Sequence, residues 1–208
     1  MNDRDTPVVR SKGRKRSSAP VDLVRRDLLI GGAVVAAGVG LGLDDADAAT
    51  KPERSPPQPG DRFQIIKGDL KNEFLRPDLL EVGARPVEGF PFDPEVGIIR
   101  RRNRLNRLLM LRLDEGEMNE PTRERSVGGI LVYSALCTHR SCTIKSWKAE
   151  ERHLRCHCHL SEFAALSEGT VMSGPARRQL PMVPVGLDDE GFVVAREGFT
   201  RKPGGAKK

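Results

Sequence analysis

All four cysteines of this 208-residue chain, and three of its four histidines, lie in two short segments: Cys137-Thr138-His139-Arg140-Ser141-Cys142 and Cys156-His157-Cys158-His159-Leu160-Ser161. Sixteen residues separate His139 from Cys156, so two loops can meet around one metal centre. Cysteine and histidine are the usual soft and borderline ligands for zinc and iron. Whatever the fold, it has to carry two loops to one point.

Zinc is the first ion to weigh. A structural zinc site would draw on Cys137, Cys142, Cys156 and Cys158, or on a mix with His159. Zinc knuckles space their paired ligands by two to four residues so that both turn inward. Here Cys156 and Cys158 are one residue apart, as are Cys137 and His139. In extended chain such neighbours point to opposite faces, which disfavours a shared tetrahedral ion.

The two boxes read Cys-Thr-His-x-x-Cys and Cys-x-Cys-His-x-Ser, and with the downstream Gly174-Pro175-Ala176 they resemble the Rieske iron–sulfur proteins over residues 126–197. The resemblance implies one [2Fe-2S] cluster held by Cys137 and Cys156 on the inner iron and by His139 and His159 on the outer one. Cys142 and Cys158 would form a disulfide between the boxes. Two neutral imidazoles in place of two thiolates raise the potential above that of all-cysteine ferredoxins. Ser161 stands where the family places a hydroxyl donor to a bridging sulfide, and Gly174 and Pro175 belong to the loop that covers the cluster. Phe163 occupies a position that carries a tyrosine in quinol-oxidising members. The lost hydroxyl predicts a lower potential than in those relatives.

Three more positions depart from that pattern. Arg140 replaces a leucine on an apolar tip that enters a quinone pocket. Leu160 replaces a glycine, and His157 a proline. A guanidinium is permanently charged, and desolvating it without a partner costs several kcal/mol. Arg140 therefore suits a polar partner surface, such as a cytochrome or a larger oxidoreductase subunit. The resemblance implies an electron carrier rather than a self-contained enzyme. Quinol–cytochrome c reductase and an arsenite-oxidase-like molybdoenzyme are the two assemblies it brings to mind. The disulfide pair argues against an aromatic-ring dioxygenase partner, and a structural zinc module is the reading from outside this class.

The N-terminus supplies an address. Residues 1–27 are basic and lead to Arg25-Arg26-Asp27, followed by an apolar, glycine-rich run over 28–43. Paired arginines ahead of a short apolar stretch read as a twin-arginine export signal. That route delivers folded, cofactor-loaded proteins to the periplasmic face of a bacterial inner membrane, where a disulfide persists. Sixteen residues make a helix of about 24 Å, against ~30 Å of hydrocarbon. Ala46-Asp47-Ala48 offers a cleavage site, so both a retained anchor and a released protein remain open.

From there the chain organises as a proline-rich linker over 44–60, a Rieske domain over 61–200 with its cluster-binding subdomain at 134–178, and a basic tail over 201–208. The expected fold is all-β, a Rieske-type antiparallel sandwich preceded by an N-terminal apolar helix. Phe63–Ile66, Leu108–Leu113, Gly129–Tyr133 and Phe192–Ala195 read as strands, with 181–185 as an edge strand because of its prolines. Residues 67–104 read as a long irregular excursion, Arg100-Arg101-Arg102 as solvated surface, Trp147 as packing beneath a loop, and His153 as a surface residue. Aromatics make up only 4% of the chain, which excludes a large aromatic core. The net charge of +6 comes without an aromatic-studded basic stripe, so no nucleic-acid partner is expected.

Overall fold

The computed structural model describes residues 51–205. The paired arginines, the apolar run, the first part of the proline-rich segment and residues 206–208 lie outside the described residues. What is described is almost wholly β, with one short α-helix, α1, at Glu120–Arg123.

The larger sheet holds β1 (Arg62–Ile65), β2 (Val87–Asp93), β3 (Ile98–Ile99), β4 (Leu108–Arg112), β5 (Ile130–Ser134), β10 (Val185–Leu187) and β11 (Val193–Ala195). The order is β10-β11-β1-β2-β4-β5, with β3 alongside β2 and every strand pair antiparallel. The segment just before β10 returns to β5: Tyr133 bridges Met182, and the Val183 amide donates to the Val132 carbonyl at 2.9 Å. The two ends of the sheet are thereby joined.

Strands β4 and β5 are apolar over their first four residues because both of their faces are buried. Leu108, Met110, Ile130 and Val132 point into one core with Phe63, Ile65, Val185 and Val193. Their neighbours Leu109, Leu111, Leu131 and Tyr133 point the other way, into a second core with Leu154, Phe163, Cys137 and Cys156. The smaller sheet closes that second core. Its strands are β6 (Ser146–Lys148), β7 (His153–Arg155), β8 (Glu162–Ala164) and β9 (Thr170–Ser173), paired in chain order between β5 and β10. The buried Tyr133 hydroxyl ties the lobes by donating to the Ala165 carbonyl at 2.8 Å.

Several expectations need correction. The supposed excursion over 67–104 contains β2, an inner strand of the larger sheet. Its prolines and glycine had masked it. Pro91 faces a gap between β4 and β3, where it needs no N–H, and its carbonyl accepts from the Arg100 amide at 2.8 Å. Gly89 is required because a Cβ there would lie 2.5 Å from the Gln64 carbonyl oxygen. Arg100 is not solvated surface: it is 4% exposed and grips buried Asp61 at 2.7 Å and Asp93 at 2.8 Å. Residues 51–60 pack onto the domain, with the Pro52 carbonyl accepting from Arg100 and the Ser55 carbonyl from Asn106. The late edge strand is Val185–Leu187, just beyond the prolines. His153 is half-buried on β7, its Nδ1 3.4 Å from Glu162 Oε2.

Candidate metal centre

The two boxes fold into loops of the same design. In each, the first residue's N–H donates to the sixth residue's carbonyl: Cys137 to Cys142 and Cys156 to Ser161, both at 2.9 Å. In each, the fifth residue takes a left-handed backbone, with φ of 57° at Ser141 and 58° at Leu160. Leu160 therefore adopts a conformation natural to the glycine it replaces. Each loop leaves a buried strand end and returns to its lobe, so its first cysteine stays in the core while its middle reaches solvent.

Cys137 and Cys156 are free thiols, each 1% exposed. Burial pushes the Cys137 thiol up to about 11, against the lowering influence of the His139 backbone N–H; the neighbouring Cys156 adds to the rise and the Ser161 hydroxyl opposes it. A thiolate here is costly unless a metal cation compensates it. Above the thiols, the His139 and His159 Nδ1 atoms lie 3.3 Å apart, with the rings edge to face at 4.7 Å between centroids. The His139 imidazole is shifted toward its neutral form by partial desolvation, then by His159 and Arg140. Two buried thiols and two adjacent imidazoles, one on each loop, form a donor set that suits a mixed Cys/His iron–sulfur group.

Cys142 and Cys158 are joined as a disulfide across 16 residues of chain, with Cα atoms 6.5 Å apart. The sulfurs of Cys142, Cys156 and Cys158 lie within 4.8 Å of one another, but the disulfide leaves only Cys156 of the three able to ligate as a thiolate. The four-thiolate zinc reading is overturned by the same bond.

Other segments brace the boxes. Ser161 is fully buried, and its hydroxyl oxygen accepts the Ala176 amide at 3.1 Å. That contact fastens the Gly174-Pro175-Ala176 loop against the second box. Phe163 is buried on β8 opposite Leu154. Trp147 lies on β6, half-buried against the second core, and its indole N–H donates to the Gly83 carbonyl at 3.3 Å. Exposed His157 contacts the Ser146 hydroxyl at 2.6 Å.

Sequence reasoning missed a further layer. The Thr138 hydroxyl donates to the Arg178 carbonyl at 2.6 Å, and the Arg178 guanidinium donates to the Gly204 carbonyl at 2.6 Å. Residues 201–205, read as a basic tail, lie over the first box: Gly204 is buried, and the Gly205 amide donates to the Ser141 hydroxyl at 2.8 Å. Only the paired glycines hinted at so close a backbone approach.

Comparison with known proteins agrees with this geometry. The family described as Rieske [2Fe-2S] domain matches residues 111–184. The chain is 34% identical over 138 residues to a cytochrome bc1 complex Rieske iron-sulfur subunit of Streptomyces lividans, covering 65% of this chain and 81% of that protein. It is 34% identical over 106 residues to the Corynebacterium diphtheriae subunit of the same name, which spans 49% of this chain but only 26% of that longer protein. A Haloferax mediterranei protein provisionally named a respiratory nitrate reductase Rieske subunit is 27% identical over 190 residues, covering 88% of this chain and 82% of its own length. With these matches and paired Cys/His loops over a buried thiol pair, the chain belongs to the Rieske [2Fe-2S] iron–sulfur family.

Proposed function

We propose that this chain is a one-electron carrier subunit of a respiratory oxidoreductase, with Cys137, His139, Cys156 and His159 as the protein ligands of a single [2Fe-2S] cluster. The observation that carries this reading is the pair of imidazole Nδ1 atoms 3.3 Å apart over two buried free thiols. Bound there, the cluster supplies reversible one-electron chemistry. Cys137 and Cys156 would hold it as thiolates, at the end of the apolar core that keeps water away. His139 and His159 would hold it from the surface, where a partner can approach. Ser161, oriented by the Ala176 amide, favours negative charge on the Cys137 sulfur. The Cys142–Cys158 disulfide and the Gly174-Pro175 loop fix the boxes against each other.

The relatives' names support partner subunits of the cytochrome bc1 or nitrate reductase kind. The paired arginines and the apolar run support export to the periplasmic face of the inner membrane, anchored or released. Among the described residues, no helix is long and apolar enough to cross a membrane.

A second reading, quinol oxidation within a bc1 complex, is favoured by the names of the Streptomyces and Corynebacterium relatives. Against it stands Arg140, an exposed guanidinium beside His139. Seating it in an apolar quinone pocket costs several kcal/mol.

Iron and acid-labile sulfide analysis, with electron paramagnetic resonance of the reduced protein, tests the proposal. The expected result is two irons per chain and a Rieske-type spectrum, both lost in His139→Ala and His159→Ala. A colourless protein holding one zinc would sink it. Reduction of the oxidised protein by a soluble quinol separates the two readings: slow or absent reduction keeps the carrier assignment, and rapid reduction favours quinol oxidation.

A further inference from the structure

Five cationic residues lie on the first box or on segments packed beside it. Arg140 belongs to the box itself. Arg104 donates to the Ser141 carbonyl from the neighbouring 3-10 turn, Arg104–Asn106. Arg178 donates to the Lys202 carbonyl at 3.2 Å and to the Gly204 carbonyl at 2.6 Å, which brings Lys202 alongside. Arg177 follows directly on Ala176, whose amide is bonded to the second box. A Cβ on Gly205 would lie 3.0 Å from Arg140 Cα, so tail and box are in direct backbone contact.

Among the described residues, no carboxylate pairs with any of the five. The ion pairs among the described residues lie elsewhere, from Arg62–Asp188 to Arg155–Glu162. Like charges gathered without counter-charge repel one another and project a positive field from the site.

We infer that Arg104, Arg140, Arg177, Arg178 and Lys202 form a cationic collar around the imidazole tip that docks the acidic face of a redox partner protein. The inference rests on the electron-carrier reading and adds the partner's chemistry to it. Two features favour a protein over an anionic lipid surface. Arg104 and Arg178 are held in place by backbone carbonyls, so their charges have a fixed pattern that a geometric partner can match. Leu160, 51% exposed on the adjacent loop, gives the collar an apolar centre of the kind that packs into a protein pocket. The C-terminal strap is thus part of the docking face, and its two glycines let it lie flat against the first box.

The test uses the full-length, cluster-loaded, reduced protein in stopped flow. It is oxidised by ferricyanide, an anion, or by tris(phenanthroline)cobalt(III), a cation, each taking one electron. Between 10 and 300 mM salt the ferricyanide rate is expected to fall about ten-fold or more while the cobalt rate rises, because screening weakens a local positive field. Arg140→Glu/Arg177→Glu/Lys202→Glu should reverse both slopes, and the milder Arg177→Gln/Lys202→Gln should flatten them if the triple variant does not fold. A loaded protein whose ferricyanide rate ignores salt overturns the collar and leaves the carrier reading standing. Failure to load a cluster overturns the carrier reading; the collar is then judged by salt-sensitive binding to polyglutamate, lost in the same variants. Stronger binding to phosphatidylglycerol vesicles than to polyglutamate, dependent on the same residues, would assign the face to a membrane and overturn the inference.

Discussion

Gly174 presses on Ser161 so closely that an ideal Cβ on it would lie 2.5 Å from the Ser161 Cα and 2.7 Å from its amide nitrogen. Both atoms are backbone and cannot swing aside, and φ at Gly174 is 83°. Gly174→Ala therefore meets a clash and a backbone penalty together, expected to cost about 2–4 kcal/mol. The loop must lift from the second box to relieve this. Thermal unfolding should drop, and iron content after purification should fall with it. Unchanged iron content at unchanged stability would show that the loop does not need this contact.

Ser161 has two tasks, and its removal separates them. The hydroxyl accepts the Ala176 amide and lowers the proton affinity of the Cys137 sulfur. Ser161→Ala leaves a buried N–H without its acceptor, a cost of about 1–3 kcal/mol. It also withdraws a donor from negative sulfur, so potentiometric titration should give a lower reduction potential. Ser161→Gly, which removes the hydroxyl with a different backbone effect, should lower the potential similarly. If the potential holds in both, the hydroxyl serves only the loop.

The centre was legible because its chemistry is local in sequence: each box carries its own cysteine and histidine, and only their meeting required the fold. What was not legible depends on distant partners. Strand β2 hid behind Pro86, Gly89 and Pro91, residues that end most strands. They are tolerated here because Pro91 faces a gap in the ladder and Gly89 lies against β1. Arg100 read as surface because the arginines beside it are exposed, while its partner Asp61 is 39 residues away. The strap over 201–205 left no hydrophobic signature, since it docks through amides, carbonyls and missing Cβ atoms.

The Cys142–Cys158 disulfide closes a loop of 16 residues, and such a crosslink stabilises by about 3 kcal/mol. Cys158 is exposed, so a reductant can reach the bond without prior unfolding. The double variant Cys142→Ser/Cys158→Ser should lose about 2–4 kcal/mol in denaturant unfolding. Dithiothreitol should bring the unsubstituted protein to the same midpoint and leave the variant's midpoint unmoved. A reductant effect of equal size in the variant would place the sensitivity at the cluster instead of the disulfide.

Asp188 is expected to couple the stability of the larger sheet to acid. Partial burial works to raise its carboxyl, but the Phe192 amide at 2.8 Å, Arg62 at 2.8 Å and the Glu190 amide at 3.0 Å prevail, and the net shift is downward. A carboxyl lowered in the folded state contributes stability above its unfolded value, near 4, and that contribution disappears as pH falls through the folded value. The groups facing it are Arg62, itself shared with Glu190, and the two backbone amides. Asp188→Asn keeps an oxygen for the amides and gives up the charge opposite Arg62. The variant should be less stable at pH 7 yet lose less on going from pH 4.5 to 2.5, read from urea midpoints across that window. Parallel curves for the two proteins would mean that the acid sensitivity comes from other carboxylates.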